Sequence, residues 1–352
     1  MQIQNLLLAT VLGCGVNKDL IDTASEEGST VQDDTNDTND TNDGPDITVE
    51  SDMVDSECID GQYSESSPTS EADISAPMNS YSPGDVHGFI LDVLDIRFPV
   101  GRAIYEGGYT SQGPFPDNCL NYFLGDASSG QAIIGQMSTL VHECGHFYDI
   151  ASSGWGDSVY HITGDLSFTC SDGSVPDNGG GVTFARSLIS TDEYADLHPP
   201  CANYTDQGCD SYAAIYLNGS PYNGSFESGD QGFNMLHEET LQYVNSLATG
   251  FAFQNDLSYS VSERDGILTF LWYTMRYLRM ARLEYPQAYA LLSEDDCWRE
   301  LILTTWGRAW LFLELTENSS NLGLNDDFLM ELVQDQSLLD EIQRLRAIQG
   351  CE

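Results

Sequence analysis

Lysine is almost missing from this chain: Lys18 is the only one in 352 residues, and 12 basic residues face 56 acidic ones. The resulting formal net charge of −44 repels a phosphate backbone, which excludes nucleic acid as a partner. No apolar run approaches the roughly 20 residues that a membrane-spanning helix needs. No CxxC pair occurs, so neither a cysteine zinc site nor a thioredoxin-like redox centre has support. No internal repeat marks a solenoid. Histidine is scarce as well, with six in the whole chain.

What remains is sufficient for a folded domain, because 41% of the residues are hydrophobic and 11% aromatic. The first residues, "MQIQNLLLATVLGCG", hold a short apolar run followed by small residues, as in a signal peptide. The ending "VLGC" resembles the bacterial lipobox, which implies lipidation of Cys14 at the mature N-terminus. The expected location is then the bacterial cell envelope, outside the cytoplasm, with the lipid as the sole membrane contact. Residues 1–14 are the signal segment on this reading. Residues 15–80, with the triplet run "DDTNDTNDTNDGPD", read as a disordered acidic tether. Residues 81–352 form the domain. Removing Cys14 leaves eight cysteines, an even number that suggests disulfides in an exported chain, with Cys201 and Cys209 the expected local pair.

Apolar periodicity predicts a mainly α (α+β) fold. Helical spacing begins in 82–98, runs through about 128–150, and returns at 233–252. From 262 onward the chain reads as almost continuously helical, a C-terminal subdomain of about 261–352. "SVYHI" and "LSFTC" read as two short strands around a Thr-Gly-Asp turn.

The chemistry is concentrated in "VHECGH", 141–146. On a helix, residues i and i+4 share a face one turn apart, so His142 and His146 can hold one Zn²⁺ while Glu143 reaches a water at the metal. At 100° per residue, Ile133, Ile134, Met137, Leu140, Val141 and Cys144 fall on one broad side and the two histidines on the other. Gly145 in mid-helix costs about 1 kcal/mol relative to alanine, and a close approach by another chain segment would explain it.

"STLVHECGHFYD" resembles the active-site helix of the zincin metallopeptidases. The metzincin continuation to a third histidine is excluded, because Asp149 and Ser152 stand at the later positions. The gluzincin branch takes its third ligand from a glutamate on a later helix, and "FNMLHEETLQYVNSL" (233–247) resembles that helix at a longer interval. The resemblance implies a zincin-like domain and a zinc-dependent peptidase acting on a peptide or protein, with Glu143 as general base. Glu238 is the favoured third ligand, sharing a face with Gln242 and Asn245, and Glu239, nearer Tyr243 and the apolar edge, is the alternative. His161, His198, His237, Tyr222 and Arg186 are candidates for stabilising the oxyanion. The rival reading is a catalytically inactive zincin-fold surface lipoprotein used for binding or adhesion.

Overall fold

The computed structural model describes residues 46–111, 113, 116–154, 156–171, 184–197, 210, 212–218 and 228–351. Cys14, the Cys201/Cys209 pair, His198 and Tyr222 lie outside them. In chain order the elements are β1 (Asp46–Thr48), β2 (Ser64–Ser66), α1 (Ser75–Ser80), α2 (Val86–Arg97), α3 (Pro99–Thr110), α4 (Cys119–Phe123), α5 (Gly130–Ile134) and α6 (Met137–Ser152). There follow β3 (Asp157–His161), β4 (Ser167–Ser171), α7 (Glu193–Leu197), α8 (Ala213–Tyr216), α9 (Phe233–Phe253), α10 (Glu263–Glu284), α11 (Pro286–Glu294), α12 (Asp296–Leu315), α13 (Asp326–Val333) and α14 (Gln336–Gln349). Three short 3₁₀ turns, Arg186–Ser190, Ser228–Asp230 and Gln254–Asp256, interrupt them.

The domain is mainly helical, as the periodicity predicts. Polar side chains set several helix starts: Asp85 accepts from the Gly88 amide, and Asp295 from that of Trp298. The stretch expected as one helix from about 128 breaks at Gly135 and Gln136. There the Gln136 side chain leaves the helix pattern, accepting from the Gly125 and Asp126 amides and donating to the Asp126 and Ala132 carbonyls. The two strands after α6 pair antiparallel, Asp157 opposite Ser171 through His161 opposite Ser167.

The folded region starts earlier than its composition indicates. The expected tether to residue 80 is corrected from Asp46 onward: β1 and β2 pair antiparallel, and Val49, Cys58, Tyr63 and Ile74 are buried in the core. Long-range contacts hold this polar segment. A disulfide joins Cys58 to Cys351, the Trp306 indole donates to the Met53 carbonyl at 2.8 Å, and Arg346 pairs with buried Asp60. Two further disulfides join Cys119 to Cys144 and Cys170 to Cys297, so α4 is fastened to α6 and β4 to the start of α12. Three disulfides fit an extracytoplasmic location.

One continuous core of buried side chains runs from Val49 to Leu345. Helices α9, α10 and α12 are buried on nearly every side and carry Trp272, Trp298, Trp306 and Trp310 inward. Among the described residues no helix is long and apolar enough to cross a membrane. Helix α6 lies between α3 and α9. Against α3 the approach is backbone to backbone: a Cβ on Gly108 would fall 1.9 Å from the Cys144 carbonyl oxygen.

Candidate metal centre

Helix α6 brings His142 and His146 to one face because they are one turn apart. That face is covered by α9. His142, Glu143, His146 and Glu239 are each at most 3% exposed. Burial holds the His142 pKa below its ordinary value, although Glu239 pulls the other way, and a lowered pKa favours the neutral imidazole that metal ligation requires.

One ligand atom from each of His142, His146 and Glu239 can be chosen so that all lie within 4.8 Å of one another. Glu239 Oε2 is 3.7 Å from His142 Nε2 and 3.5 Å from His146 Nε2. These separations exceed a normal N–H···O hydrogen bond. They match the edge of a tetrahedron whose ligands sit at zinc-like distances, about 3.4 Å from ligand to ligand. Both Glu239 oxygens are buried and lack a hydrogen-bond partner among the described residues. A buried carboxylate in that condition needs a cation. Burial raises the Glu239 pKa, but the His146 and His142 imidazoles outweigh it and bring it down to about 2. A buried carboxylate, two imidazoles and a tetrahedral-edge spacing therefore fit a metal ion.

The opposite nitrogens of the two rings are held by α9 as well. His142 Nδ1 is 2.9 Å from Ser246 Oγ, and His146 Nδ1 meets Glu238 Oε2. Metal-binding histidines are commonly oriented in this way through the nitrogen that does not face the ion. Glu238 thus sits behind His146, and Glu239 in front of both rings. This reverses the order expected from the helical faces. The metal group lies on the Tyr243 side of α9, with the Tyr243 ring edge-on to His142 at 4.9 Å between centroids.

Behind Glu238 a chain of buried polar groups crosses the core. Gln242 Nε2 donates to Glu238 Oε1 at 3.2 Å and to Asp149 Oδ2 at 3.0 Å. Its Oε1 accepts from Asn245 at 2.8 Å, and Asn245 in turn accepts from Arg308 Nη1 at 2.7 Å. Arg308 pairs with Glu65, which also accepts from the Tyr63 hydroxyl. The asparagine and glutamine amides have no spare orientation here, since each end meets a group of one polarity. Gly145 is explained at the same place, because any Cβ there would strike the Gln242 amide. Asp149 also accepts from His161 Nδ1 at 2.6 Å and from its backbone amide at 2.9 Å. Burial, reinforced by the Glu238 charge, raises the Asp149 pKa to about 7 against the pull of His161.

The other expected histidines are elsewhere. His161 stacks on Tyr148 and serves Asp149, outside the metal group. His237 lies 3.0 Å from Thr305 Oγ1 and packs against Phe233 and Tyr160, with burial lowering its pKa to about 3. Arg186 is fully buried and under the electrostatic influence of Glu239. Ser246, Arg308 and Glu65 gave no sequence signal, since each acts through partners distant in the chain. Comparison of the chain with family models, curated proteins and solved structures finds no match.

Proposed function

We propose that this protein is a zinc-dependent peptidase of zincin, gluzincin-like type, with His142, His146 and Glu239 as the metal ligands and Glu143 as the general base. The observation that carries this reading is the set of three buried ligand groups at tetrahedral-edge spacing, with a glutamate next in sequence to the first histidine. When bound, such a metal supplies Lewis acidity towards a carbonyl and lowers the pKa of water. Zinc suits a two-imidazole, one-carboxylate set, which leaves one tetrahedral position open.

The residues of the chain then divide the remaining work. Glu143 accepts a proton from the water whose oxygen attacks the scissile carbonyl carbon, and delivers it to the amine nitrogen as the carbon–nitrogen bond breaks. The products are a carboxylate and an amine. Ser246 and Glu238 fix the two ring orientations, and Gln242 holds Glu238 from behind. In the cell the domain is tethered to the envelope through lipidated Cys14, a reading that rests on the "VLGC" sequence, while the disulfides support the extracytoplasmic location alone. The test is hydrolysis of casein or gelatin by purified protein, with and without a chelator. Chelator-sensitive cleavage supports the peptidase, and a zinc-loaded protein that cleaves nothing leaves the inactive binding protein.

A further inference from the structure

Arg186 carries a charge that no hydrogen bond neutralises among the described residues. It opens the 3₁₀ turn Arg186–Ser190, its backbone amide donating to the Gln231 carbonyl at 2.7 Å. The side chain is fully buried, and Nε, Nη1 and Nη2 all lack a hydrogen-bond partner among the described residues. The guanidinium carbon lies 5.4 Å from the centre of the Tyr216 ring. Tyr216 and Tyr243 place their hydroxyls 2.8 Å apart, and Tyr243 packs on His142. The nearby phenols of Tyr273 and Tyr277 are committed to Asp210 and to the Phe184 carbonyl. Glu239 exerts the largest favourable electrostatic pull on the guanidinium, yet among the described residues neither group has a hydrogen-bond partner. Arg186 therefore belongs to the Tyr216–Tyr243 side of the metal group, with its five N–H donors unused among the described residues.

We propose that Arg186 binds a carboxylate of the peptide substrate beside the scissile bond, making this a peptidase selective for chains that present a free carboxylate there. The proposal rests on the peptidase reading for the word substrate, but the anion site itself does not. A guanidinium fork matches a carboxylate with two parallel hydrogen bonds. A stably ionised partner fits better than the reaction's oxyanion. The oxyanion exists only briefly, and the buried charge would stand uncompensated throughout the bound ground state. Metal binding strengthens the case, because a cation at Glu239 offsets the carboxylate charge that acts on Arg186. The carboxylate has two sources, the C-terminus of a peptide or an acidic side chain.

The experiment uses zinc-loaded full-length protein and matched peptides: free acid against C-terminal amide, and internal Glu against Gln. The wild type is expected to favour one carboxylate form in kcat/KM by roughly tenfold or more, the size of one charge-assisted contact. The pair that shows the preference names the source. Arg186→Met should bring that ratio close to one, keep its metal, and melt no lower than the wild type, since it removes an unpartnered buried charge. Arg186→Lys, charged but without the fork, should fall between. If no peptide is cleaved, titration calorimetry with N-acetylphenylalanine and its amide separates the two ideas: acid-selective binding that Arg186→Met loses supports the anion site while the peptidase reading fails. Equal treatment of acids and amides by the wild type, or selectivity that survives Arg186→Met, overturns the proposal. So does a clear fall in melting temperature for Arg186→Met, which would make the guanidinium a structural partner.

Discussion

A Cβ on Gly145 would lie 1.9 Å from Oε1 of Gln242. The missing side chain is what lets the amide of one helix rest on the backbone of the other, one residue before His146 of the candidate metal group. Gln242 then reaches both Glu238 and Asp149. Gly145→Ala is expected to destabilise the fold by about 1–3 kcal/mol through overpacking, despite the better helix propensity of alanine. Gln242→Ala in the same chain should recover part of that loss, giving a coupling energy in a double-mutant cycle. Urea melts of the four proteins measure it, and strictly additive effects would contradict the contact.

Glu143→Gln should leave the fold and the metal content unchanged and abolish hydrolysis, because an amide cannot accept the proton of the attacking water. Peptidase activity and metal content measured on the same preparation check this. Retention of most of the activity would show that another group is the base.

Glu65 is the far end of the polar chain, and its carboxylate is paired with buried Arg308. Glu65→Ala leaves an uncompensated guanidinium in the core and is expected to cost about 3–5 kcal/mol in a denaturant melt. An effect within experimental error would show that the Arg308 charge is satisfied without it.

Burial lowers the His237 pKa from its ordinary 6.5 to about 3. The unfolded chain therefore takes up a proton on this ring at higher pH than the folded chain does. The neutral ring's contribution is complete above about pH 6.5 and is lost progressively as the pH falls towards 3. His237→Gln should flatten that part of the stability profile, measured by melts across the range. An unchanged slope would mean that the ring does not titrate on unfolding.

Much of the architecture was legible because it rests on local periodicity. The helices beginning at Phe233, Glu263 and Pro286 and the hairpin after α6 follow the sequence pattern closely. The polar segment from Asp46 was not legible, because Trp306, Arg346 and Cys351 hold it from 253, 286 and 293 residues away in sequence. The sequence places Glu238 ahead of Glu239 only if α9 has a polar face turned away from its apolar one. The helix is instead buried all round, so both carboxylates face protein, and only tertiary placement decides which meets the Nε2 atoms. The face shared by Glu238, Gln242 and Asn245 is real, but it carries the hydrogen-bond chain behind the histidines.

Metal content and affinity of the purified protein and two variants test the proposed centre most directly. Wild-type protein equilibrated with zinc and desalted should retain about one zinc per chain, a tetrahedral site having three protein ligands and one open position. Glu239→Ala should lose it. Glu238→Ala should keep the site and weaken affinity by roughly 10–100-fold, as when a group that orients a metal-binding histidine is removed. A wild type that retains no metal, or a Glu239→Ala protein that binds zinc as the wild type does, would contradict the assignment of His142, His146 and Glu239 as the ligands.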